Sequence, residues 1–594
     1  MTESVTTGQV SIEAIRRTLE EILNLGQHHI PRYQRRYAWE LQNINEFWSD
    51  IINAESPHFL GTMVVASLDT NRFEVVDGQQ RLTTALIALA AIRDILEFDL
   101  RDHGRAEGVA GYIEFKSRRG EPKSRIVNDD DHARNRLLDD ALHRKTPAPT
   151  VPSEDDSAEL HAYVRFRELV LEGDYSVEER TQWLDRVVDK ILETNIVYVR
   201  VPDRQSAFTV FETLNDRGKS LNSVDLVKNL IFSGIPETVS RDAERIWSDT
   251  MHRIDSLTLE GVDEEAVLYY FWNSRGSGVG ERLDPVEQHR IRREMTDLVK
   301  SSPSGVEICK ELLEDFSFSS QVFRVFDSLL KSRGAESALR DFVEEFNLEW
   351  RPSKFSEISA PLYGILITRA NQPYPTLLSA ARAYKDKRMK SVQLIRLLKA
   401  VEKFQFRWSI AKKGSTSTVR RLYRRTALAI HSSSSRSVAK HIDEFISSAN
   451  NMIPTDKQFS DGLQKIDYSK TRGKEGHKIR YIFQRLEQYW GDTNLDFSRP
   501  LSIEHIEPQG RRSEVTPQNY WVFRIGNMTL LPESVNAGLP DQFPAKCAEL
   551  RNWVNSKDSV LRAAINRGSW GNSDYRERSQ KICDAAIEIW PEKI

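Results

Sequence analysis

Ser502-Ile503-Glu504-His505-Ile506-Glu507-Pro508-Gln509 is followed by Arg524-Ile525-Gly526-Asn527-Met528-Thr529-Leu530-Leu531, and then by Asn536 and Lys546. Ile503 and Ile506 flank the Glu-His pair, and Pro508 ends the first apolar segment. Ile525, Met528, Leu530 and Leu531 make a second short run broken by Gly526-Asn527. The spacing predicts a strand, a long loop, a second strand and a helix. A carboxylate beside a His, followed by two Asn, supplies hard-oxygen ligands for Mg²⁺ and a base for water. The competing assignment makes His505 a polar residue capping a strand in an ordinary α+β domain.

These residues resemble the ββα-metal pattern of HNH nucleases. The resemblance implies that His505 is the general base, that Glu504 and Asn536 hold one Mg²⁺ or Mn²⁺, and that Asn527 orients the His. Neutral imidazole titrates near the working pH and can accept a proton from water. Most such nucleases carry Asp or His where this chain has Glu504, whose arm is longer. Cys309, Cys547 and Cys583 are the only cysteines, with no Cys-x-x-Cys knuckle, so neither a zinc-ribbon subtype nor a disulfide framework is expected.

Working back to the first hundred residues, Ile30-Pro31-Arg32-Tyr33-Gln34-Arg35-Arg36-Tyr37 precedes Phe73-Glu74-Val75-Val76-Asp77-Gly78-Gln79-Gln80-Arg81-Leu82-Thr83-Thr84. The second segment reads as a strand, a tight turn and an apolar, Ala-rich helix from Leu82 to Leu96. A Gly turn opening a helix presents backbone N–H groups and a positive dipole end, which suit a phosphate. Arg81, Arg35 and Arg36 are candidates for bidentate phosphate contacts. No Walker A sequence occurs. The alternative for Asp77 to Arg81 is a turn held by a local Asp–Arg pair.

Asp77-Gly78-Gln79-Gln80-Arg81, together with Phe211-Glu212-Thr213-Leu214-Asn215-Asp216-Arg217-Gly218-Lys219 and Asp225-Leu226-Val227-Lys228-Asn229, resembles the N-terminal half of GmrSD-type restriction enzymes. The Glu-His-Ile and Gly-Asn-x-Thr-Leu-Leu blocks are similar to the C-terminal half. The resemblance implies a ParB-like α/β domain that binds and hydrolyses an NTP, with Asp77, Gly78, Gln79, Gln80, Arg81 and Thr83 among its nucleotide contacts. Asn215, Arg217, Asp225 and Lys228 are candidates for a nucleotide contact or a buried polar hinge. Ser220 or Ser223 would cap the helix carrying Asp225.

Net charge is −3 over 594 residues, so overall charge does not announce nucleic-acid binding. Between Val401 and Lys440, however, ten Lys or Arg stand against Glu402 alone, interleaved with Phe404, Phe406, Trp408 and Tyr423. Such a stretch can track a phosphate backbone, and Arg420, Arg421, Arg424 and Lys546 are the DNA-contact candidates. The alternative is a solvated helical face with its aromatics in the core. Residues 101–160 are charged and Pro/Ser-rich in part, and read as a flexible connection or insertion. A second flexible stretch is expected around Gly276, Gly278 and Gly280. No run of eighteen apolar residues and no leader is seen, so a cytoplasmic protein without a membrane partner is expected.

The expected architecture is multidomain α+β. It consists of an N-terminal ParB-like α/β nucleotide domain (1–235), a mostly helical connecting region (236–490) and a C-terminal HNH nuclease domain (491–594). The expected function is NTP-regulated, metal-dependent cleavage of foreign, phage-type DNA carrying modified bases, with a homodimer as a candidate assembly. The runner-up is an NTP-switched, ParB-like DNA-binding regulator within a defence complex.

Overall fold

The computed structural model describes residues 13–594 except 32–33, 35–36, 117–118, 129–141, 144–156, 205, 208–209, 211–222, 276–283, 333–338, 341–342, 344–354, 412–414, 469–475, 498 and 510–519. Two compact units emerge: Met1–His252 with Met295–Glu314, and Arg253–Glu294 with Asp315–Ile594. The second unit takes in most of the expected helical connector together with the C-terminal hundred residues. No helix among the described residues is long and apolar enough to cross a membrane.

The first unit is built on a mixed sheet. In chain order its strands are β1 (Glu13–Thr18), β2 (Gln27–Ile30), β3 (Phe59–Ser67) and β4 (Arg72–Asp77), then the small pair β5 (Glu114–Lys116) and β6 (Pro122–Ser124), then β7 (Ile126–Asn128) and β8 (Asn195–Val201). The six-stranded order is β1-β8-β3-β4-β2-β7. β8 is parallel to β3, and β2 is parallel to both β4 and β7, while β1–β8 and β3–β4 are antiparallel. Val64 pairs with Asp77 and Val65 with Val75, so Val76 is an extra residue at the end of β4. A bulge there turns the chain and re-aims the side chain that follows.

Gly78, at φ +97°, makes the turn from β4 into the helix Gln79–Asp94. A Cβ at this position would strain the backbone and press on Met63 at 3.1 Å. Every residue of the helix except Arg81 and Arg93 is buried. It is apolar all round because it lies inside the unit, with Leu86, Leu89, Ile92 and their neighbours in one core with Val65, Val75, Tyr163 and Phe166. The described residues of the segment expected as a flexible insertion include elements built into this unit. The helix His103–Ile113 packs on Gln79–Asp94, and β7 completes the sheet edge. Val109, Ile113 and Ile126 are buried, and these few apolar positions dock an otherwise charged segment.

Among its described residues the second unit is mainly helical, with one hairpin-like pair of strands, β9 (Leu501–His505) and β10 (Met528–Pro532). These strands run antiparallel, with Glu504 opposite Thr529 and His505 opposite Met528. Two strands alone bury too little to be stable. Ile503, Met528 and Leu530 therefore share a core with Phe406, Phe459, Ile479, Ile482 and Ile582, drawn from the helices Ser391–Ala411, Asp456–Leu463, Gly476–Trp490 and Asn572–Ile589, and with Trp590 just beyond the last of them. This core therefore draws residues from both sides of position 490.

Candidate functional site

β9 alternates buried and half-buried positions and delivers His505 at its last residue, 7% exposed. The imidazole lies parallel to the Tyr468 ring, with centroids 5.9 Å apart and an interplanar angle of 8°. His505 Nε2 is 3.2 Å from the Tyr468 carbonyl oxygen and 2.7 Å from Gln509 Nε2, which also lies 3.3 Å from Nδ1. The Tyr468 carbonyl can only accept and the Gln509 amide nitrogen can only donate, so the two groups at Nε2 favour opposite tautomers, and the imidazolium is the form that the carbonyl favours. Neither Tyr468 nor Gln509 was singled out in the sequence. Gln509 stood in the quoted motif without a role, and Tyr468 lies too far upstream for spacing to reveal it.

Asn527 is fully buried, but it does not bond the imidazole. Its Oδ1 accepts from Glu507 N at 2.9 Å and Trp570 Nε1 at 2.8 Å, and its Nδ2 donates to Glu507 O at 3.0 Å and Val522 O at 2.8 Å. The Asn527 carbonyl accepts from Ile506 N at 2.8 Å. Asn527 is thus tied to the backbone just after His505, not to the ring.

Glu504 pairs with Lys546, whose ammonium also donates to the His505 carbonyl at 2.9 Å. Lys546 is only 3% exposed. The expectation that it touches DNA is corrected: its charge is spent inside the fold, because an unpaired buried ammonium would be far costlier. Asn536 ends the short helix Glu533–Asn536, which packs on β9 and β10, and its buried Oδ1 has no hydrogen-bond partner. A carboxylate and an amide oxygen are the donor types of a hard cation that keeps several waters, as Mg²⁺ does, and not the N/S cage of zinc, though the Glu504 carboxylate is here held by Lys546. Among the described residues, no group of three or more His, Cys, Asp and Glu could hold a metal ion.

In the first unit the structure gathers several of the expected nucleotide residues. Arg81 Nη2 is 3.5 Å from Asp77 Oδ2, and Nη1 donates to the Leu60 carbonyl at 2.6 Å. Gly61, at φ +95°, makes room for that guanidinium, into which a Cβ would collide. Lys228 Nζ, on the helix Ser223–Gly234, is 3.2 Å from Asp225 Oδ1 and 3.3 Å from Gln34 Oε1. Gln34 Nε2 in turn donates to the Val76 carbonyl at 2.8 Å. Burial pushes the Asp77 carboxyl above the usual range, opposed by Arg81, the Gly78 backbone and Lys228 and reinforced by Asp225. Two carboxylates and two cations therefore act on one another at the start of the buried helix.

Other expected contacts are placed differently. Gln80 and Thr83 face the core, and Gln80 Oε1 accepts from Ala38 N at 3.0 Å, so they support the turn from behind. Gln79 is buried as well. Arg35, Arg36, Asn215 and Arg217, Ser220 and the glycines at 276, 278 and 280 lie outside the described residues. In the basic stretch, Arg407 is fully buried, donating to the Pro454 and Trp590 carbonyls and pairing with Asp456. Arg424 is buried against Asn273 Oδ1 at 2.6 Å. The stretch is therefore not a continuous phosphate track. Arg420 and Arg421 are exposed, with Arg421 paired to Asp284.

The family model described as the N-terminal domain of GmrSD restriction endonuclease matches residues 19–232. The one described as the C-terminal domain of GmrSD restriction endonucleases matches residues 453–585. No curated protein matches the chain. The first match holds the Asp77–Arg81 turn and the Lys228 cluster, and the second holds the His505 strand pair. With both halves present in order, the chain belongs to the GmrSD family of type IV restriction endonucleases.

Proposed function

We propose that the chain is an NTP-regulated, divalent-metal-dependent endonuclease that cuts foreign DNA carrying modified bases. In this reading β9, β10 and the Glu533–Asn536 helix form an HNH site, and the first unit is a ParB-like NTPase. The observation that carries the reading is His505, buried at a strand end against Tyr468, on the strand pair that also carries Glu504 and packs the short helix bearing the orphaned Asn536 Oδ1.

The His505 imidazole takes the proton from the attacking water, and the Tyr468 carbonyl against Nε2 steadies the positive charge that the ring acquires. Asn527 holds the backbone that carries His505, so the base does not swing. Glu504 and Asn536 would hold Mg²⁺ or Mn²⁺, which supplies stabilisation of the charge that builds on the phosphate and the leaving oxygen. Lys546 sets the position of Glu504 from behind. In the first unit, Arg81 and Lys228 bind the phosphates of an NTP, and Asp77 orients the attacking water or a phosphate-bound Mg²⁺.

The test compares matched DNA containing cytosine, hydroxymethylcytosine, glucosylated hydroxymethylcytosine or phosphorothioate linkages, at fixed salt and with each NTP in turn. Faster cleavage of one modified form is expected. Equal cleavage of unmodified DNA and every modified form would make the enzyme a general nuclease.

A further inference from the structure

The second unit contains a half-open cavity of about 490 Å³ whose lining includes Tyr269, Glu287, Asn371, Gln372, Arg420 and Arg424. It is composed unlike a gap in packing. Tyr269 is half-buried on the helix Glu264–Asn273, its ring held edge-on by Tyr270 at 5.2 Å and 81°. Arg420 and Arg424 stand one turn apart on the helix Thr416–His431, on the face toward the cavity. Arg425, by contrast, bonds Ser448, and Arg421 pairs with Asp284.

Arg424 is fixed by Asn273, whose amide also donates to the Tyr269 carbonyl at 2.9 Å and the Val286 carbonyl at 3.1 Å and accepts from Val286 N at 2.8 Å. That network joins one guanidinium to the backbone of the aromatic residue. Both guanidiniums act on the Tyr269 phenol, offsetting part of the upward push of burial on its titration. The lining also includes the amides of Gln288, Asn371 and Gln372 and the carboxylates of Asp263, Glu265 and Glu287.

Each component answers one part of a nucleotide. An aromatic face stacks a base, amide groups read a base edge, and a guanidinium takes a phosphate. The carboxylates discourage free anions and accept hydrogen bonds from hydroxyl or amino groups. The volume exceeds what an unsubstituted base fills and falls within the range of small-molecule sites.

We propose that this cavity receives a nucleotide extruded from the DNA, stacked on Tyr269 with its phosphate toward Arg420 and a hydroxyl-bearing base substituent toward Glu265 and Glu287. The proposal rests on the reading that modified DNA is the substrate, and places discrimination in the second unit, away from the cleavage residues.

The experiment measures binding of the full-length protein, in EDTA at fixed salt, to paired duplexes containing cytosine or glucosylated hydroxymethylcytosine. Tyr269→Ala removes the stacking face, Tyr269→Phe keeps it, and Arg420→Gln changes an exposed residue that folding does not need. Loss of one base–aromatic stack corresponds to about a 5- to 150-fold weaker binding. That loss is expected for Tyr269→Ala on the modified duplex only, with Tyr269→Phe near wild type and Arg420→Gln intermediate. A wild-type preference kept in all three variants would overturn the site while leaving modified DNA as substrate. Equal losses on both duplexes would make it a general DNA contact and overturn the base-reading role. A wild type without preference would overturn both the substrate reading and the site.

Discussion

Lys546 shows how a charged residue in a motif can be misassigned when only its sequence position is known. In the chain it reads as a cation available to DNA; in the fold it neutralises Glu504 and holds the His505 carbonyl. Removing one partner of such a pair leaves an uncompensated charge, at a cost of about 3 kcal/mol, near the lower end because Glu504 retains 14% of its side-chain exposure. Lys546→Met is expected to lower stability in urea by roughly that amount, and Glu504→Gln/Lys546→Met to recover most of it, as a double-mutant cycle would show. Additive losses in the double variant would mean that the two side chains are energetically independent. His505, Glu504, Asn527 and Asn536 could be singled out because they sit in short motifs. Tyr468 and the buried state of Arg407 and Arg424 could not be, since burial is decided by segments far away in the chain.

At the scale of elements, the strand–turn–helix at Asp77 was legible from β-formers, a Gly turn and an Ala-rich run, and the strand pair at His505 from two short apolar segments. What could not be read was the shared core beneath β9 and β10. Phe406, Phe459 and Trp590 have no sequence relation to the strands they support. The same core encloses Glu402, which accepts from Tyr481 Oη at 2.9 Å and Trp590 Nε1 at 2.6 Å. Burial pushes its carboxyl above the usual range, against the pull of Arg485 and of these two donors. The folded state therefore holds this proton more tightly than the unfolded chain, so its contribution falls as pH rises from the unfolded value of about 4.3 toward the raised folded value. Glu402→Gln keeps an acceptor oxygen and removes the titration. Urea stability measured across pH is expected to decline less steeply in this variant than in wild type over that window. Parallel curves would show that Glu402 has no raised titration in the fold.

At the scale of the whole molecule, the Asp77–Lys228 cluster and the His505 strand pair belong to different compact units, matched by different halves of the family. The two activities should thus be separable by mutation. Asp77→Ala is expected to abolish NTP hydrolysis while leaving the fold of the His505 strand pair unchanged, so that DNA cleavage changes only through loss of nucleotide control. Phosphate release and cleavage assayed on the same preparation check this; normal NTP turnover in the variant would make Asp77 a purely structural turn residue. The central claim is that His505 is the base of a metal-dependent phosphodiesterase, and nicking of supercoiled modified DNA by wild type and His505→Ala, with Mg²⁺, Mn²⁺ or EDTA, tests it most directly. The account predicts cleavage by wild type in either metal, none in EDTA, and a rate about 10²- to 10⁴-fold lower for His505→Ala with NTP turnover intact. Equal rates for the two proteins, or undiminished cleavage in EDTA, would contradict it.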